Sequence, residues 1–200
     1  GRYLPEYKAI RQTEPDFISF CLNPNKACEV TIQPIKRYQF DASIIFSDIL
    51  LIPWAMERNV RFINGKGPKL DVLNSLKDIE VFADKDLSNK YKAVGNAVKL
   101  TRQTLPAKTA LIGFSGAPWT LMTYLFEGGS SRDFSNTKSF LWQKPGEAIE
   151  IIKILTEKVA EFLIVQAKQG VNVLMLFDSW AGPVPAKWRD EMIYKPHQRL

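Results

Sequence analysis

Three near-continuous apolar runs, separated by long helical patterns, constrain this chain more than any other feature. Ala42–Asp48 (ASIIFSD), Thr109–Gly116 (TALIGFSG) and Val171–Ser179 (VNVLMLFDS) have the length and hydrophobicity of strands covered on both faces, the signature of a parallel sheet. Before the second run, LSNKYKAVGNAVKLTRQTL carries Val94, Ala97, Val98 and Leu105 at helical spacing after an N-cap candidate, Ser88. Before the third, PGEAIEIIKILTEKVAEFLIVQAKQG starts near Pro145 and stops at Gly170, with a stripe of Ala148, Ile152, Leu155, Val159 and Phe162. Strand, helix, strand predicts an α/β architecture. Residues 14–38 read as two short helices broken at Asn23-Pro24, and 59–70 as a hairpin-like insertion turning at Asn64-Gly65. No second-domain boundary, low-complexity stretch or repeat interrupts the 200 residues, which read as a single domain.

The strand ends share a pattern. Phe46 and Asp48, Phe114 and Gly116, and Phe177 and Ser179 each stand two apart, so each pair shares one face of its strand. Ligands of parallel α/β folds sit at the carboxyl ends of strands. The pattern fits one pocket with aromatic walls, a carboxylate, a bare backbone and a hydroxyl; it equally fits chance among 12 phenylalanines. Asp48 poses the sharpest question, because an ionised carboxylate among so many hydrophobes is costly to bury without a positive or hydrogen-donating partner.

Charge narrows the field less. The net charge of +6 fits either a lysine-rich solvated surface or an anionic ligand. Lys and Arg are scattered and no nucleic-acid-binding motif occurs, so no nucleic-acid partner is expected. No apolar run is long enough for a membrane span, and no membrane partner is expected either. With one histidine, His197, and no His/Cys/carboxylate clustering, no metal site is expected; His197 in YKPHQ reads as a surface residue without a role. No nucleotide-binding glycine motif occurs. EGGSS (127–131) reads as a turn after a helix. Cys21 and Cys28 read as reduced thiols of a cytoplasmic protein. Arg2 with Tyr3 and Tyr7 fits either carboxylate recognition or a surface arm, and Trp119, at a helix start, reads as packing.

Four stretches in order, GRYLPEY, FSDIL, GFSGAPWTLMTYLFEGGSS and LFDSWAG, resemble the uroporphyrinogen decarboxylase family, with similarity along essentially the whole chain. The resemblance implies a (β/α)8 barrel, of which this chain would hold the first three strands, and a cofactor-free, metal-free enzyme, typically a homodimer. That enzyme removes the four acetate carboxyls of uroporphyrinogen III to give coproporphyrinogen III. Asp48 matches the carboxylate that accepts the pyrrole N–H groups at the macrocycle centre. Arg2, next to Gly1 at the substrate, matches the second arginine of an N-terminal motif that binds substrate carboxylates and is implicated in proton delivery. Tyr124 and Ser179 match substrate-binding residues, and Phe46, Phe114 and Phe177 would line the apolar floor. The motif's first arginine and the family's C-terminal histidine have no match here, and the chain begins without Met, so it reads as a fragment. Two alternatives are a corrinoid- or thiol-dependent methyltransferase of the same superfamily and a truncated, non-catalytic porphyrinogen-binding chain.

Overall fold

The computed structural model describes all residues, Gly1–Leu200. They form two compact units, each assembled from three segments of the chain.

The first unit comprises Gly1–Leu51, Ser88–Ser115 and Phe162–Met175. It begins with helices α1 (Pro5–Arg11), α2 (Phe17–Cys21) and α3 (Pro24–Tyr38). Asp16 caps α2 by accepting the Ser19 N–H, and Asn23 caps α3 by accepting the Lys26 N–H. The break at Asn23-Pro24 is where the sequence puts it, but α3 is not short. It runs 15 residues, because Pro34 removes a single backbone donor near its end and the helix continues to Gln39 in the left-handed region.

Strands β1 (Ala42–Ile44), β4 (Ala110–Gly116) and β5 (Val173–Phe177) form a parallel sheet in the order β1-β4-β5. Ala42 pairs with Ala110 and Ile44 with Ile112. The α/β expectation holds, yet every strand is shorter than its apolar run. β1 ends early because the Phe46 N–H turns out of the ladder to the Thr31 hydroxyl of α3, 2.8 Å away. Thr31 in turn donates to the Ala27 carbonyl, and Ser43 donates to the Thr31 carbonyl. β4 starts one residue late, the Thr109 N–H being bound by the Pro106 carbonyl. β5 starts late because Asn172 uses its side chain, accepting the Leu111 N–H and an Arg102 N–H. It stops at Phe177, where Asp178 opens a turn closed by the Ala181 N–H.

Helix α5 (Lys92–Thr104) is also shorter than expected. Ser88 does not cap it; Ser88–Tyr91 form a 3-10 turn first, and Tyr91 occupies the cap position. The end of α8 (Pro145–Lys168) lies against β4. There Gln166 accepts the Phe114 N–H and donates to the Phe114 carbonyl, both at 2.9 Å. Gly113 permits that approach, since a Cβ there would stand 2.7 Å from the Gln166 amide oxygen.

The second unit comprises Ile52–Leu87, Gly116–Glu161 and Leu176–Leu200. Its hairpin, β2 (Arg61–Ile63) with β3 (Gly67–Lys69), turns at Asn64-Gly65, Gly65 taking φ +72°. Helix α4 (Leu51–Ala55) leads in from the first unit. Helix α6 (Pro118–Glu127) is buried along nearly its whole length and stops at Gly128, which takes the left-handed φ of +66°. The EGGSS segment is therefore a helix stop, and its Gly129 bridges to Lys69. Helix α7 (Ser135–Gln143) follows, then most of α8, whose stripe residues Ala148, Ile152, Leu155 and Val159 are all buried. Lys158, only 1% exposed, donates to the Lys85 carbonyl and pairs with Glu161, whose other oxygen accepts the Leu87 N–H. The C-terminal α9 (Lys195–Arg199) is pinned to α8 by Arg199 and Glu157. No helix is long and apolar enough to cross a membrane.

Candidate active site

In the first unit the end of β1 delivers Asp48 to a sharp turn. Its Oδ1 accepts the Leu50 N–H at 2.9 Å and its backbone carbonyl accepts the Leu51 N–H, so the carboxylate is fixed by its own loop. The other oxygen, Oδ2, faces Arg2 Nη2 at 3.8 Å. The pair is lopsided: the Asp48 side chain is 13% exposed and that of Arg2 is 59% exposed. Burial therefore dominates and pushes the Asp48 carboxyl above its ordinary range, while the Leu50 amide and Arg2 pull only partly the other way. Asp48 thus meets one amide and one distant guanidinium, fewer donors than a buried carboxylate can accept.

The floor beneath it is aromatic. Phe46 packs edge-on against Tyr7 and Phe17 at 5.8 and 5.9 Å between ring centres, and lies 4.6 Å from Phe20. The Arg2 guanidinium rests over the Phe17 ring at 4.9 Å, and Arg11 flanks both Phe17 and Phe20 at about 6 Å. Cys21, buried next to this cluster, has its thiol pushed far up by burial, with the Asp48 charge adding to the effect. Cys21 and Cys28 are both free and buried. A cavity of ≈ 350 Å³ opens alongside, lined by Gly1, Arg2, Phe46, Ser47 and Phe114 among others. The buried Ser47 hydroxyl has no hydrogen-bond partner.

The first unit therefore brings together Gly1, Arg2, Asp48, Phe46 and Phe114 from the sequence expectation. Tyr124, Ser179 and Phe177 belong to the second unit. There Phe177 closes β5, its carbonyl accepting the Ala117 N–H at 2.9 Å. Tyr124 is half-buried on α6, its ring 6.4 Å from that of Trp180, and Ser179 is exposed. Trp119 is fully buried and its indole N–H bonds the Trp180 carbonyl at 2.8 Å, in keeping with packing.

His197 is not the idle surface residue the sequence suggests. Its Nε2 is buried and faces Asp178 Oδ2 at 3.3 Å, because the turn at Asp190–Tyr194 carries α9 back to the end of β5. Apart from this contact, neither buried atom has a hydrogen-bond partner. No local spacing could have signalled this contact. Phe17 and Phe20 were also missed as site-builders, although they stand at helical i, i+3 spacing, a legible signal.

The whole chain, residues 1–200, matches the profile of the uroporphyrinogen decarboxylase (URO-D) family. The chain belongs to that family. Among URO-D relatives, the uroporphyrinogen decarboxylase of Rickettsia massiliae is 44% identical over 200 residues, covering 100% of this chain and 58% of the relative. That of Rhodospirillum rubrum is 42% identical with the same coverage. The chain thus spans 58% of the length of these relatives. A methyltransferase from Methanosarcina mazei shares the fold, with a TM-score of 0.69 at 14% identity, over 97% of this chain and 55% of that one. The fold here is mixed α/β and partially TIM-barrel-like, with parallel strands in the order β1-β4-β5 and connecting helices.

Proposed function

We propose that the full-length protein carrying this sequence is a uroporphyrinogen decarboxylase. It removes the four acetate carboxyls of uroporphyrinogen III, giving coproporphyrinogen III, with no cofactor or metal. The observation that carries the reading is Asp48: a fixed carboxylate, nearly buried over aromatic rings, short of donors and facing a guanidinium. A porphyrinogen supplies what is missing, four inward pyrrole N–H groups for the carboxylate and peripheral carboxylates for Arg2.

The chemistry follows from charge. A proton added to a pyrrole carbon makes the ring cationic beside Asp48, whose fixed negative charge in a dry pocket stabilises it. The acetate C–C bond then breaks and CO2 leaves. The released electron pair neutralises the ring, and a proton gained at the exocyclic carbon as the ring proton departs completes a methyl group. Each round consumes one proton. Arg2 binds the acetate carboxylates and takes part in delivering that proton. Tyr124 and Ser179 hydrogen-bond substrate carboxylates, and Phe46, Phe114 and Phe177 line the apolar floor. Homodimer formation and a cytoplasmic location belong to the same proposal; the free thiols of Cys21 and Cys28 support a reducing compartment.

The test is anaerobic incubation of the full-length protein with uroporphyrinogen III and a count of carboxyl groups on the products. Seven-, six- and five-carboxyl porphyrinogens should precede the four-carboxyl end product, without added metal. No loss of carboxyls, or stoichiometric zinc in an active methyl-transferring protein, would contradict the reading.

A further inference from the structure

Ser179 is exposed, but the residues on either side of it are not free. Both are tied to one buried hydroxyl. Thr120, fully buried on α6, donates its Oγ1–H to Asp178 Oδ1 at 2.7 Å. Thr120 Oγ1 in turn accepts the Trp180 N–H at 3.3 Å. One side chain thus straddles Ser179, holding the residue before it and the residue after it. A second set of bonds locks the frame: the Trp119 indole to the Trp180 carbonyl, and the Ala117 N–H to the Phe177 carbonyl.

Asp178 has its own reason to stay. Thr120 lies in the first turn of α6, whose cap residue, Ala117, has no side chain to offer the free N–H groups there. Asp178 supplies an acceptor at this helix start, its Oδ1 taking the Thr120 hydroxyl. A negative charge at a helix N-terminus is favourable. Its far oxygen, Oδ2, faces the buried Nε2 of His197 at 3.3 Å. Burial still raises the Asp178 carboxyl above its ordinary range.

We propose that Thr120 and Asp178, backed by His197, form a positioning unit that presents the Ser179 hydroxyl to a substrate carboxylate. Neither Thr120 nor Asp178 touches substrate; both act through Ser179. The inference rests on the decarboxylase reading only for the identity of the ligand that Ser179 meets.

The test is a double-mutant cycle on the full-length protein. Thr120→Val keeps the volume and removes the hydroxyl. It should raise KM for uroporphyrinogen III about 2- to 13-fold, the span of one neutral hydrogen bond, as Ser179→Ala should. Thr120→Val combined with Ser179→Ala should be no worse than Ser179→Ala alone, because the hydroxyl being positioned is already gone. Thr120→Ser, which keeps the hydroxyl, should restore wild-type KM. Independent losses that multiply in the double variant would overturn the proposal, as would a wild-type KM for Thr120→Val. Hydrogen exchange reads the positioning without substrate: the Trp180 amide should exchange faster in Thr120→Val and not in Thr120→Ser. Unchanged protection in Thr120→Val overturns the unit even if the protein proves not to decarboxylate uroporphyrinogen. That second failure, seen as an inactive wild type, counts against the ligand alone.

Discussion

Replacing Asp48 with Asn in the full-length protein should cost about 10²–10³ in kcat, the loss typical of removing one preorganised electrostatic partner of a transition state. The substitution keeps the volume, and the Asn amide oxygen can still accept the Leu50 N–H. What disappears is the negative charge facing Arg2 and the substrate. The same variant should be more stable than wild type at neutral pH. Asp48 binds its proton more tightly folded than unfolded, because burial raises its carboxyl above the ordinary 3.8. The contribution of such a group is favourable below the unfolded value and is lost as pH rises through the folded one, so at neutral pH the ionised carboxylate costs stability. Asp48→Asn removes that cost. Its melting temperature should exceed wild type at pH 7, the gap closing as pH falls toward 3.8. Steady-state kinetics and calorimetry on one preparation check both halves. Near-normal turnover, or a variant less stable at pH 7, would contradict the electrostatic role.

Expressed as these 200 residues, the chain should self-associate and form no coproporphyrinogen. The parallel sheet has β1 at one edge and β5 at the other, each with a free side. Along β5, Val173, Leu174 and Met175 are 49%, 42% and 38% exposed, and Ile44 on β1 is 43% exposed. Open apolar edges template pairing with other chains. At roughly 25 cal/mol per Å² of apolar surface, covering such a face is worth several kcal/mol, a large part of a typical net stability of about 5–15. Light scattering should show mass rising with concentration, and Leu174→Lys should reduce it. A monodisperse monomer that unfolds cooperatively and turns over substrate would show that the open sheet carries no such liability.

Much of this was legible because it rests on local periodicity. The stripe on α8, the Asn64-Gly65 hairpin and the stop at Gly128 follow from side-chain spacing and glycine geometry, which the sequence displays directly. Strand lengths were overestimated because side chains at a distance end the ladders. Thr31 removes Phe46 from β1 and Asn172 replaces the start of β5, and hydrophobicity carries no mark of either. Asp48 drew attention because a carboxylate in an apolar run is anomalous by itself, and the structure gives it too few donors. Arg2 became meaningful through family resemblance, since arginine near tyrosines fits a surface arm equally well. His197 was illegible: its contact with Asp178 joins residues far apart in the chain through a π-helical turn that no spacing rule anticipates. Thr120 was hidden for the same reason, its role being set by residues 58 and 60 positions away.

The central claim is that Asp48 is an anion waiting for N–H donors, and its own titration tests this most directly. In the full-length protein with ¹³C-labelled aspartate, the Asp48 carboxyl signal, assigned by its absence in Asp48→Asn, can be followed against pH with and without bound coproporphyrinogen III. Donors to the charged form lower a carboxyl pKa, and burial without them raises it. The expected result is a free-protein value above 3.8 that falls on binding, with affinity weakening in step as pH drops through the free-protein value. A pKa that stays put or rises on binding would contradict the claim.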